Sequence, residues 1–416
     1  MFLSTSTAPE QIVRGLLASS QVRRAFERFA ERADEITQEQ AAICEIPAPP
    51  FGEEARAEYL AARFRQCGLS ETTIDAEGNC VALRRGANLH PLLVVSAHLD
   101  TVFPAGTNFT VRREGARMFA PGIADDGCGL VALLALVCAL EENAIETEGS
   151  VLFVGTVGEE GEGNLRGARY LLTEGEWARE IDSFVSLDGP GLEGITHRAV
   201  GSRRYRVRCA GAGGHSWGDF GVPNPVHALG RTIARLIAYP APARPRTTFN
   251  VGRVEGGAGV NCIAQEALMD VDLRSESPDE LKRLDAYFRR AAREAAEEEN
   301  AARRANTPPL ELEMNLIGDR PGGETPKDAP LVRLAEAATR ALGSAPRLDC
   351  SSTDSNIAIS LGLPAITIGA GGLSANSHTL DEWYDPRGRE LALNRALLLL
   401  LGTVGLKQAQ RGKGNV

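Results

Sequence analysis

The chain is 416 residues long, and its 45 basic and 55 acidic side chains leave a formal charge of −10. That length holds two domains and a large core, and an acidic surface argues against nucleic acid or an anionic membrane as the main partner. No apolar run reaches the length of a membrane span, and Met1-Phe2-Leu3-Ser4-Thr5 lacks the basic start and apolar stretch of a signal peptide.

Residues 10–66 read as helical, with apolar residues at helical spacing in Ile12–Phe29 and Ala55–Phe64. The proline-rich Ile46-Pro47-Ala48-Pro49-Pro50 separates the two stretches. Strands then alternate with helices: Cys80–Leu83, Leu92–Ala97, a helix over Gly129–Leu140, Val151–Val157, a helix around Ala168–Leu172, and Ser183–Leu187. This rhythm predicts an α/β fold, a mostly parallel central sheet with helices on both faces. From about residue 199 the texture changes to alternating strands: Arg203–Cys209, a helix over Pro225–Ile237, Thr247–Val254, Ala267–Leu273, a charged helix over Pro278–Arg304, and Leu310–Leu316. The β-α-β-β-α-β order predicts an inserted ferredoxin-like α+β domain, with helices on one face of an antiparallel sheet. Asp319–Gly323 reads as the return linker, after which a helix over Pro330–Leu342 and a strand at Ala365–Ile368 resume the first domain. The expected division is therefore 1–198 with 320–416 as one domain and 199–319 as the insertion.

The eight cysteines are irregularly spaced and form no Cys-x-x-Cys. In a chain of this length they are expected to be mostly buried thiols, which places the protein in the cytoplasm.

Several of the apolar runs end in imidazole or carboxylate side chains. His98 and Asp100 follow Leu92–Ala97, Glu159 and Glu160 follow Val151–Val157, Asp188 follows Ser183–Leu187, and His378 lies beyond Ala365–Ile368. Asp125 and Asp126 stand in a glycine-rich loop directly before the Gly129–Leu140 helix. Ligands bind at the carboxyl ends of such strands, so these residues are candidates for one metal site. Zinc takes imidazole nitrogen and carboxylate oxygen, and two neighbouring ions need a shared carboxylate. His98, Asp125, Glu160, Asp188 and His378 supply that set. Each has a plainer reading taken singly: Asp125 or Asp126 as a helix cap, Asp188 as a turn residue, His378 as an ordinary loop histidine. Adjacent carboxylates repel unless a cation is near, and both the Asp125-Asp126 and Glu159-Glu160 pairs carry that problem.

With these motifs in order, the sequence resembles the co-catalytic zinc peptidase and deacylase family of acetylornithine deacetylase, succinyl-diaminopimelate desuccinylase, glutamate carboxypeptidase and tripeptide aminopeptidase. The resemblance rests on His98-Leu99-Asp100-Thr101-Val102, the 122–126 loop, Glu159-Glu160, Asp188, His378 and the insertion. It implies a di-zinc amide hydrolase, with manganese or cobalt as possible substitutes. His98 and Asp188 hold one ion, Glu160 and His378 the other, and Asp125 bridges. Glu159 is the general base, Asp100 orients His98, and the peptide bond after Asp125 is cis. In the insertion, His215 of Gly213-Gly214-His215-Ser216 resembles the family's carbonyl-polarising histidine. Asn261 resembles its substrate-contacting asparagine, and Arg274 its substrate-carboxylate arginine. The implied substrate is a short peptide or an N-acyl amino acid, with exopeptidase action preferred, and the implied assembly is a homodimer through the insertion. Gly127 departs from the lysine that many members carry there.

A different class of enzyme also has a trace. Gly214-His215-Ser216-Trp217-Gly218 fits a nucleophile elbow, with Ser216, Asp354 and His378 in hydrolase order. The residues after Gly218 delay any helix, which counts against it. A non-catalytic metal-binding scaffold is the third reading, and the presence of Glu159 speaks against that one.

Overall fold

The computed structural model describes residues 8–407. It separates into two compact units, one formed by the chain up to Ala199 and again from Glu324, the other by Val200–Gly323.

In the first unit, four strands whose residues are buried on both faces form the parallel centre of a mixed sheet. Ser150–Thr156, Leu92–His98, Ser183–Leu187 and Ala365–Ile368 lie side by side in that order. Their apolar runs are continuous because helices cover both sides. The outer strands Cys80–Arg84 and Gly194–Ala199 pair antiparallel with this centre. Two of the covering helices, Gly127–Glu142 and Arg389–Val404, are buried almost throughout. Alanines, leucines and valines on every side of Gly127–Glu142 allow that. The amino-terminal stretch folds as Pro9–Ala18, Ser20–Glu31, Ala33–Cys44 and Glu54–Gln66, as its periodicity predicts.

The second unit is a four-stranded antiparallel sheet, Thr247–Gly256, Glu266–Ser275, Gly201–Ala210 and Glu311–Arg320 in spatial order. Alternate residues of the central strands (Tyr205, Val207, Met269, Val271) are buried with Leu229, Leu284 and Phe288 of the helices Pro225–Ile237 and Pro278–Ala301. Pro225 and Pro278 open these helices, capped by Asn224 and Ser277 side chains.

Three expectations need correction. Asp319 and Arg320 are still within a strand. The charged helix stops at Ala301 rather than continuing to Arg304. Cys67 and Cys138 are joined in a disulfide, Cα atoms 5.3 Å apart, tying the end of Glu54–Gln66 to Gly127–Glu142. Seventy-one residues separate the two in sequence, and only the packing of the helices brings them together. The other six cysteines are thiols.

Candidate metal centre

The parallel strands present their carboxyl ends to one edge, and the candidate ligands leave from there. His98 is the last residue of its strand, Asp188 directly follows Leu187, and Glu159 and Glu160 come just after Thr156. Gly158 turns the chain between Thr156 and the glutamates at φ 65°, where an added Cβ would strike the Arg166 side chain. Asp125 lies in the loop before Gly127–Glu142, and its peptide bond to Asp126 is cis. His378 sits between the short strands Leu373–Ala375 and Trp383–Asp385 with φ 65°, a conformation rare for a residue with a side chain.

Asp125 is the hub. Its Oδ1 is 2.9 Å from His98 Nε2 and its Oδ2 is 3.1 Å from His378 Nε2. His378 Nε2 is also 2.9 Å from Glu160 Oε1. Donor atoms of His98, Asp125 and Glu160 all lie within 4.8 Å of one another. Ligands bound to one zinc at about 2.0–2.2 Å sit about 3–3.5 Å apart, so this donor set fits a cation with little rearrangement. Hydrogen bonds to Asp125 and Glu160 push His378 up to about 10. Burial pushes His98 down, but its bonds to Asp100 and Asp125 win and hold it well above the usual imidazole range. Burial likewise raises Asp125, and the bonds from His378 and His98 more than reverse this. Asp188 shares the same field: burial raises its carboxyl well above the usual range, Asp125 adds to the push and His98 opposes it. The buried Glu159 adds a smaller push on Asp188.

The supports differ in detail from expectation. His98 Nδ1 is 3.0 Å from the backbone carbonyl oxygen of Asp100 and 3.5 Å from its Oδ1, so the carbonyl is the nearer acceptor. The Asp100 carboxylate instead accepts the backbone N–H of Glu159 and of Glu160, at 3.0 and 2.8 Å, which ties the two strand ends together. Asp126 is the helix cap. It accepts from the N–H of Gly129 at 3.0 Å, of Gly189 at 3.2 Å and of His98 at 3.2 Å. Of the Asp pair, Asp126 thus caps the helix, while Asp125 faces the two imidazoles. Sequence reasoning missed Glu382, a fully buried carboxylate against the same loop. Its place four residues after His378 was the available signal.

His215, Asn261 and Arg274 belong to the second unit. His215 is exposed on the two-residue strand Gly214–His215, paired with Cys262–Ile263. Its Nδ1 accepts the N–H of Trp217 at 3.2 Å and of Gly218 at 3.3 Å, so the neutral ring carries its proton on Nε2. The backbone carbonyl of the exposed Asn261 accepts the N–H of Ser216 at 2.9 Å. Arg274 donates from Nε to Asp272 at 2.6 Å. Ser216 has no elbow, since the following helix begins only at Pro225. Asp354 accepts a hydrogen bond from Thr156, while His378 faces Asp125 and Glu160.

A mixed α/β unit with imidazoles and carboxylates gathered at its parallel strand ends defines a hydrolase of the metallopeptidase and amidohydrolase class. The chain belongs to peptidase family M20/M25/M40, whose family model matches residues 94–401. It is 26% identical over 364 residues to the uncharacterized protein YqjE of Bacillus subtilis, across 84% of this chain and 90% of that protein. It is 29% identical to the cytosol non-specific dipeptidase of Escherichia coli, across 62% of this chain and 58% of that one. The crystal structure of a tripeptidase from Staphylococcus aureus shares the fold at a TM-score of 0.72 and 22% identity, covering 88% of this chain and 96% of its own. Among the described residues, no helix is long and apolar enough to cross a membrane.

Proposed function

We propose that the protein is a metal-dependent exopeptidase acting on short peptides. The observation carrying this reading is Asp125, whose two oxygens face different imidazoles, with Glu160 beside the second. His98 and Asp188 would hold one cation and Glu160 and His378 a second, with Asp125 available to both. Zinc suits these donors, and manganese or cobalt are accepted by similar sets. When bound, such ions polarise a carbonyl and acidify water. Glu159 takes the proton from the attacking water oxygen and returns it to the departing amine nitrogen. Asp100, by fixing the backbone of Glu159 and Glu160 and the ring of His98, keeps base and ligands in register. His215 donates its Nε2–H to the substrate carbonyl oxygen as negative charge grows there. Asn261 binds a substrate amide, and Arg274 takes the substrate carboxylate. The same reading keeps the protein in the cytoplasm and pairs two copies through the inserted domain, where Thr247–Gly256 is an outer strand.

The likeness to the dipeptidase supports peptides as substrates. The test is a panel of dipeptides, tripeptides and N-acetyl and N-succinyl amino acids, run on zinc-loaded and on chelated protein. Peptide cleavage lost on chelation and restored by zinc is the expected result. Cleavage confined to N-acyl amino acids makes the protein a deacylase, and no cleavage with zinc bound leaves a scaffold.

A further inference from the structure

Buried side chains from outside it make most of the hydrogen bonds to the backbone of the Gly122–Asp125 loop. Glu382 Oε2 accepts the N–H of Gly122 at 3.0 Å, and Oε1 accepts those of Ala124 at 2.8 Å and Asp125 at 3.1 Å. On the carbonyl side, Gln40 Nε2 donates to Ile123 at 2.6 Å and the Cys128 thiol to Ala124 at 2.9 Å. Gln40 is itself fixed, its amide oxygen accepting from Arg389 at 2.8 Å. The loop in turn has no slack at Gly122, where φ is 73° and an added Cβ would lie 2.5 Å from the Thr101 methyl.

We infer that Glu382 is a positioning residue for the metal pair, and this rests on the reading of Asp125 as the bridging ligand. Three N–H donors converge on its two oxygens, which only an acceptor-only group can satisfy. Glu382 also ends the loop that carries His378, and its own backbone carbonyl accepts the N–H of Ala120 at 3.2 Å. One side chain therefore joins the segment bearing Asp125 to the segment bearing His378, two ligands 253 positions apart. Their separation decides whether Asp125 Oδ2 and His378 Nε2 reach the same ion. Ordinary core packing does not demand a carboxylate here, and a loop needing only solvation would find water at the surface instead.

The test compares wild type with Glu382→Gln and Gln40→Leu. Glu382→Gln keeps the volume but turns an NH2 group toward a backbone N–H. Zinc affinity is measured by competition with a chromogenic chelator, kcat and KM at saturating zinc on the best substrate of the panel, and the fold of the zinc-free protein by circular dichroism and its Tm. Expected for Glu382→Gln is a 10- to 100-fold loss of zinc affinity. A fall in kcat with KM within about threefold should accompany it, and the zinc-free protein should remain folded. Gln40→Leu, which leaves the Glu382 bonds intact, gives a smaller loss of the same sign. Glu382→Gln with wild-type zinc affinity and kcat overturns the inference. So does a loss of affinity seen only where the zinc-free protein has itself unfolded in both variants, since that makes the role structural. Failure of the wild type to take up zinc instead overturns the di-metal reading beneath it.

Discussion

His98 and His215 sit on segments built in opposite ways. His98 is buried at a strand end, its ring held through Nδ1 and its backbone N–H bound to Asp126. The backbone N–H of Glu160 is likewise bound to the buried Asp100 carboxylate, and that of Asp125 to Glu382. His215 stands exposed on a two-residue strand, and its ring accepts the N–H groups of the turn that follows. A cation demands donors at fixed separations, so its ligands need a rigid shell prepared before binding. A group that must meet a substrate needs reach, and an exposed turn gives it. Both histidines nevertheless have a tautomer set by one ring nitrogen's hydrogen bond, which leaves Nε2 for the chemistry.

The sharpest way to separate the two designs is to remove chemistry from the rigid side without touching its ligands. Glu159→Gln is expected to reduce kcat by about 10³- to 10⁴-fold, the upper range for a lost general base, while zinc content by elemental analysis stays at the wild-type value. The Asp100 bond to the backbone of residue 159 does not depend on the side chain, so the loop persists. A variant with near-normal turnover would remove Glu159 from its role. A variant that loses zinc would instead make Glu159 part of the ligand shell.

On the exposed side the expected loss is smaller. His215→Ala removes one hydrogen-bond donor to the developing oxyanion and should lower kcat about 10²-fold. Because the ring is exposed, Tm should move little, and zinc affinity should not change. An equal fall in zinc affinity would erase the contrast between the two histidines, and unchanged kcat would assign carbonyl polarisation elsewhere.

The two sides were also unequally legible from sequence. Strands apolar on both faces announce themselves by length and composition, and the residues immediately beyond them, His98, Glu160 and Asp188, are found by looking at strand ends. The helix Pro225–Ile237 shows a clear apolar stripe and is found to the residue. Arg389–Val404 was not anticipated: its leucine run is buried on every side and has no stripe to detect. Gly194–Ala199 was missed for a related reason, since a strand antiparallel to Ala365–Ile368 is recruited by its neighbour rather than by its own pattern. Glu382 offered only its place four residues after His378, and Gln40 offered no signal, because their partners are backbone groups of a loop far away in sequence. Two-residue strands such as Gly214–His215 are too short to carry any periodic signal.

The rigid shell has a further consequence that pH can measure. In the metal-free protein His378 is pushed up to about 10 by Asp125 and Glu160, and His98 also lies well above the ordinary imidazole range. Asp125 is held low by the same pairings and is already ionised at neutral pH. A bound cation requires neutral imidazole and ionised carboxylate, so zinc must displace a proton from each histidine, none from Asp125, and any that burial keeps on Asp188. Affinity should then rise with pH by about tenfold per unit for each proton displaced. With His378 pushed up to about 10, the rise should continue between pH 7.5 and 9. Histidines at their ordinary value of about 6.5 would already be neutral there and the curve would be flat. Chelator competition across that interval, with calorimetry in buffers of different protonation enthalpy to count protons, distinguishes the two. A flat curve would mean that the imidazoles are not paired with Asp125 and Glu160 before the metal arrives, and the ligand shell would then be as adaptable as the turn around His215.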